Sequence, residues 1–103
     1  MTPTQTQESR LQATAAERQE ILAVIEALHD AHYRKDADAV VAQYSHDAVI
    51  YNLAPPLVHH GVDRAEKQQW FDSWATPVEI DSQGMEIWVS GDFGLCHGFL
   101  RLT

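Results

Sequence analysis

Cysteine is nearly missing from this chain. Cys96 is the only one, so no disulfide can close within the chain and no cysteine cluster can hold a structural zinc. Stability therefore has to come from packing. Basic residues are scarce as well, 7 against 15 acidic ones for a formal net charge of -8, a balance that repels phosphate backbones and anionic headgroups. Nucleic acid and membrane surfaces are not expected partners. No apolar run approaches the roughly 18 residues of a membrane span, and the polar opening from Met1 to Arg10 lacks the apolar stretch of a signal peptide. The expected compartment is the cytoplasm. Internal repeats and low-complexity segments are absent too.

What is present is enough for one real core. The chain has 103 residues, 45% of them apolar, and Trp70, Trp74 and Trp88 are costly to leave unpacked. Residues 1 to 13 offer almost nothing to bury and read as a flexible lead-in to one domain over residues 14 to 103. Thr14 with Glu17 is a capping box, and Ile21, Val24, Ile25, Leu28 and His32 recur along one stripe of a long helix running to about Arg34. Asp36 caps a short second helix carrying Ala37, Val40, Val41 and Tyr44.

Ala48 to Asn52 is a first strand, stopped by Pro55 and Pro56, and Leu57 to His60 adds a short extended piece before Gly61. Asp63 with Glu66 opens a third helix that shows Trp70, Phe71 and Trp74 on one face and is closed by Pro77. Val78 to Ile80 and Met85 to Val89 are extended, as one strand bent near Gly84, and Ser90-Gly91-Asp92 turns into a last strand over Phe93 to Thr103. Strands and helices do not alternate as parallel units do, so the class is α+β with an antiparallel sheet and helices on one face.

The helix end Tyr33-Arg34-Lys35-Asp36-Ala37-Asp38, the stretch Tyr44-Ser45-His46-Asp47-Ala48-Val49-Ile50-Tyr51, and Gly61 leading to Trp70-Phe71-Asp72-Ser73-Trp74 resemble the nuclear transport factor 2-like, or SnoaL-like, superfamily that includes ketosteroid isomerases. The likeness covers about Ile21 to Thr103. It implies a cone-shaped, curved antiparallel sheet wrapped around the long first helix, with a pocket between them and a tendency to dimerise through the sheet. It also implies two further strands beyond Thr103, so that this chain would be a C-terminally truncated member with an incomplete sheet. The match to the isomerases fails at their chemistry. Their proton-abstracting aspartate falls at Asn52, which is no base, and their helix tyrosine falls at Leu28.

Along the last strand Leu95, His97, Phe99 and Arg101 share one face, and Cys96, Gly98, Leu100 and Leu102 share the other. In the resembling fold the first of these faces points into the pocket. On that basis His97 is a candidate proton carrier, Asn52 or Tyr51 donates to a developing oxyanion, and Arg101 grips a carboxylate beside Phe99. Alternatively Arg101 pairs with an acidic neighbour and His97 is a core histidine. His32, Trp70 and Trp74 are expected at the pocket as substrate contacts; the alternative for the tryptophans is that with Phe71 they form a core face.

Cys96 reads as a small buried hydrophobe, since its neighbour His97 points to the opposite face and cannot activate it. His29, His32 and Asp36 have a spacing that could converge on a metal, but no second ligand pair supports it, and neither metal nor cofactor is expected. His59 and His60 read as solvated. The function so implied is a small-molecule-binding domain, with general acid/base proton transfer on a carbonyl-bearing substrate if it is an enzyme. The alternative is a non-catalytic homodimerisation or protein-association domain of the same shape, and a homodimer is expected in either case, because the sheet is apolar on both faces.

Overall fold

The computed structural model describes residues 13–52 and 54–103, so the expected lead-in falls outside the described residues except for Ala13. Helix α1 spans Ala15–Tyr33 and begins with the capping box read from sequence: the Thr14 backbone N–H donates to Glu17 Oε1 at 2.9 Å, and the Glu17 N–H donates to Thr14 Oγ1 at 3.2 Å. Lys35 then takes a left-handed φ of 55°, which lets the Lys35 and Asp36 N–H groups fold back on the carbonyls of His32 and Ala31. Asp36 caps helix α2, Ala37–Val41, through its Oδ1 and the Ala39 N–H. Arg34 holds this corner by donating to both Asp30 and Asp36.

Strands β1, Val49–Tyr51, and β2, Val58–His60, pair antiparallel with Ile50 opposite His59. The ladder closes at Gly61, whose N–H donates to the Ala48 carbonyl. Gly61 has φ +77°, and a Cβ there would lie 2.8 Å from the His46 carbonyl oxygen, so no other residue fits this turn unstrained. Helix α3, Arg64–Asp72, is capped by Asp63. It stops well before the Pro77 proposed as its terminator, because the Ser73 hydroxyl and N–H satisfy the last carbonyls at Trp70 and Gln69.

Strand β3, Ile80–Ser90, and strand β4, Phe93–Leu102, form one long antiparallel hairpin. The expected bend at Gly84 is a bulge: the register slips between Gln83 and Glu86, with Gly84 at φ +63°. Opposite it, a Cβ on Gly98 would sit 3.0 Å from the Gln83 carbonyl oxygen, so a side chain there would push the strands apart.

The class is α+β, as the order of elements predicts. Among the described residues, however, β1–β2 and β3–β4 are two separate two-stranded ladders, not one sheet curved into a cone. The core lies where α1, α2, α3 and the start of the hairpin meet, built from Ala31, Ala37, Val40, Phe71 and Val78. No helix among the described residues is long and apolar enough to cross a membrane.

Candidate functional site

The hairpin settles which way its faces point. Ile87 is buried, Ile80 packs on the core, and a Cβ on Gly94 would meet Ile21 of α1 at 2.8 Å. The cross-strand register places Gly94 and Cys96 opposite Val89 and Ile87, and alternation puts Gly98, Leu100 and Leu102 on that same helix-side face. The other face, carrying Leu95, His97, Phe99 and Arg101, turns away from the helices. The inward register expected for His97 and Arg101 is therefore reversed. The physical reason is that α1 lies close against the hairpin at Gly94, where the absence of a side chain leaves room for it.

On the outward face His97 and Arg101 find cross-strand acids. His97 Nε2 lies 3.1 Å from Glu86 Oε2, and Arg101 Nη2 lies 3.5 Å from Asp81 Oδ2, all with more than half of their side-chain surface in water. Pairs so exposed contribute little to stability. The Arg101–Asp81 pair does neutralise the face locally. Between the two pairs stands Phe99 at 79% exposure, and beyond the Glu86–His97 pair come Trp88 with Leu95 opposite and Phe93 at 82% near the turn. Trp88, Phe93 and Leu95 border an open apolar groove at this end. Tyr51 and Asn52 lie on or beside β1, both exposed, and Asn52 uses its N–H on the Leu57 carbonyl; neither is hydrogen-bonded to His97. Cys96 is exposed, not buried, although Ile87 opposite it is buried.

The second cluster forms where α1 meets α3, and here the structure does bring together three of the residues proposed from sequence. His32 is the buried polar residue among those described, at 7% exposure. Its ring meets Phe71 edge-on with centroids 5.5 Å apart and Trp70 at 6.2 Å, and Trp70 meets Trp74 at 5.5 Å. The spacing of α1 fixes the imidazole: Nδ1 lies 2.8 Å from the carbonyl oxygen of Leu28, one turn earlier, and can only donate to it. Nε2 is then the lone-pair nitrogen, with no hydrogen-bond partner among the described residues. His29, His32 and Asp36 do not gather into a metal site, since Asp36 is occupied by Ala39 and Arg34, and no group of metal-ligating side chains is found among the described residues.

Burial holds the His32 imidazole below the ordinary histidine range, with Lys67 and His29 pushing the same way against the Leu28 hydrogen bond. The folded chain thus resists protonation while the unfolded chain accepts a proton near pH 6.5. Stability contributed by neutral His32 is present above that pH and is lost as the pH falls through the window below it. His32→Phe should flatten the drop in urea midpoint between about pH 7 and 5; a slope equal to that of the parent chain would show that His32 is not titrating as described.

Lys67 was not singled out by sequence reasoning. Its Nζ lies 4.4 Å from the Trp70 ring centroid and 5.3 Å from that of Phe71. The readable signal was the i, i+3, i+4 spacing of Lys67, Trp70 and Phe71 along α3.

No protein-family model and no curated protein matches the chain significantly. Solved structures do. The chain is similar to an NTF2-like protein of unknown function from Pseudomonas putida KT2440, with a TM-score of 0.77 and 22% identity over 87% of this chain and 65% of that one. The fold is NTF2-like. A protein of unknown function with a cystatin-like fold from Nostoc punctiforme PCC 73102 aligns with a TM-score of 0.67 and 18% identity, covering 89% of this chain and 69% of that chain. At these identities the likeness carries the NTF2-like architecture and no activity. The chain spans 65% of the length of the Pseudomonas protein.

Proposed function

We propose that this NTF2-like domain works by association, with the outward face of its hairpin packing on the same face of a second copy. The observation that supports it is the exposure of β4: every residue from Phe93 to Leu102 is exposed, Phe93, Leu95 and Phe99 among them on the face away from the helices. Apolar surface of this kind is seldom left in water. The acid-rich chain repels itself less there, because Arg101 offsets Asp81 across the hairpin and His97 lies beside Glu86. The rows also suit a two-fold axis. A copy rotated about the Glu86–His97 row sets Trp88 and Leu95 over the Gln83–Phe99 row of its mate. Sedimentation equilibrium at micromolar concentration should give twice the chain mass, and a monomer at every concentration would overturn the proposal.

A second reading, a domain that binds a small and partly apolar molecule, is favoured by His32. A buried imidazole with one nitrogen committed to Leu28, the other solvent-accessible and without a hydrogen-bond partner among the described residues, and two aromatic rings against its edge is a polar anchor in an apolar setting. In this reading the anchor belongs to the α1–α3 seam, with Trp70 and Trp74 as apolar contacts. Proton transfer by His97 is less well supported, since Glu86 occupies its Nε2 and the ring lies on the outer face.

A further inference from the structure

We propose that the seam between α1 and α3 binds a small hydroxylated organic acid, with Lys67 as the charge partner of its carboxylate. This rests on the ligand-binding reading of His32 and adds the class of ligand. Of the other cations on or beside the helices, Arg18 is exposed to solvent and the rest are held within the chain. Arg34 is held by Asp30 and Asp36, Arg64 by Asp38, and Lys35 gives its Nζ to the Trp74 carbonyl. Lys67 is different. Half-buried, it makes no ion pair and no hydrogen bond among the described residues, in a chain that holds 15 acidic side chains. Its ammonium rests on the faces of Trp70 and Phe71, and burial alone, with no carboxylate to offset it, pushes its pKa below the usual lysine range.

A partly desolvated ammonium without a counter-ion is unfavourable unless something supplies the negative charge. The ring contacts supply part of it and leave the far side of the ammonium free to take a carboxylate. His32 meets the same two rings from α1. With Nδ1 donating to Leu28, its Nε2 is an acceptor, so it matches a hydroxyl and not a second carboxylate oxygen. Charge at one end, a hydroxyl donor near it, and an apolar or aromatic body against Trp70 describe the ligand. The nearby charges on α1 and β3, Glu26 and Asp81, bear on His29 and not on Lys67, so they do not already satisfy it.

The probe is mandelate, which carries a ring, a hydroxyl and a carboxylate, with phenylethane-1,2-diol as its neutral counterpart. Binding is read from the Trp70 indole resonance of the intact chain, assigned by its loss in Trp70→Phe. Mandelate should shift this signal and bind at least about tenfold more tightly than the diol, and Lys67→Met should remove that preference while Lys67→Arg keeps much of it. A diol that binds as well as mandelate, unchanged by Lys67→Met, would overturn the acid as ligand class and leave the His32 reading standing. If neither compound moves the Trp70 signal at tens of millimolar, both fall. Circular dichroism of Lys67→Met separates lost recognition from lost folding; should that variant unfold, the mandelate-to-diol ratio on the parent chain decides alone.

Discussion

Phe71→Ala should lower the stability of the fold by about 3–5 kcal/mol. Phe71 has no exposed surface and is the largest of the fully buried side chains. It sits on α3 and is part of the cluster with Ala31 of α1, Ala37 and Val40 of α2, and Val78 ahead of β3. Removing the ring deletes the apolar contact of all these elements at once, and the small alanines around it cannot collapse to fill the space. Against a typical domain stability of about 5–15 kcal/mol, such a loss takes a large share. Urea unfolding followed by tryptophan fluorescence should show a midpoint lower by roughly 2 M, taking a slope of about 1–3 kcal/mol per molar. Phe71→Leu, which keeps most of the volume, should lose less. A shift equivalent to under about 1 kcal/mol would mean that α3 does not carry the core.

Phe99→Glu should weaken self-association at least a hundredfold, about 2.7 kcal/mol, while leaving the monomer folded. Phe99 is 79% exposed and opposes Gln83 on the outward face, next to the bulge. In the monomer the substitution costs little, because the side chain already stands in water. In the pair it places a carboxylate against Trp88 and Leu95 of the second copy, where an unpaired charge has no solvent and no partner. Leu102→Glu, on the helix-side face of the same strand, provides the comparison: it adds the same charge to β4 but not to the proposed interface. Sedimentation equilibrium of both variants distinguishes a specific face from general stickiness. Equal weakening by the two substitutions would count against the outward face as the contact.

Much of the local structure was legible because its signals are local. Thr14 with Glu17, Asp36, and Asp63 each mark a helix start by supplying an oxygen to an otherwise unpaired N–H, and all three do so. Gly84 and Gly91 mark the bulge and the turn of the hairpin because both require left-handed backbone. The end of α3 was misplaced at Pro77 because Ser73 ends the helix by a hydrogen bond that any of several polar residues could have made. Cys96 was expected to be buried from its residue type, but burial depends on what lies above the strand, and alternation along the chain does not contain that information.

The sequence by itself determined the α+β class, the helix starts, the hairpin and its bulge, and the division of β4 into two faces, since each follows from contacts within a few residues. Only the tertiary structure decided which face looks outward. That choice hangs on the approach of Ile21 to Gly94, seventy-odd residues away along the chain, and it sends His97 and Arg101 into solvent with Glu86 and Asp81. The tertiary structure also brought His32 of α1 against Trp70 and Phe71, beside the Lys67 that helix spacing sets over the same rings, because α1 packs on α3 around Phe71.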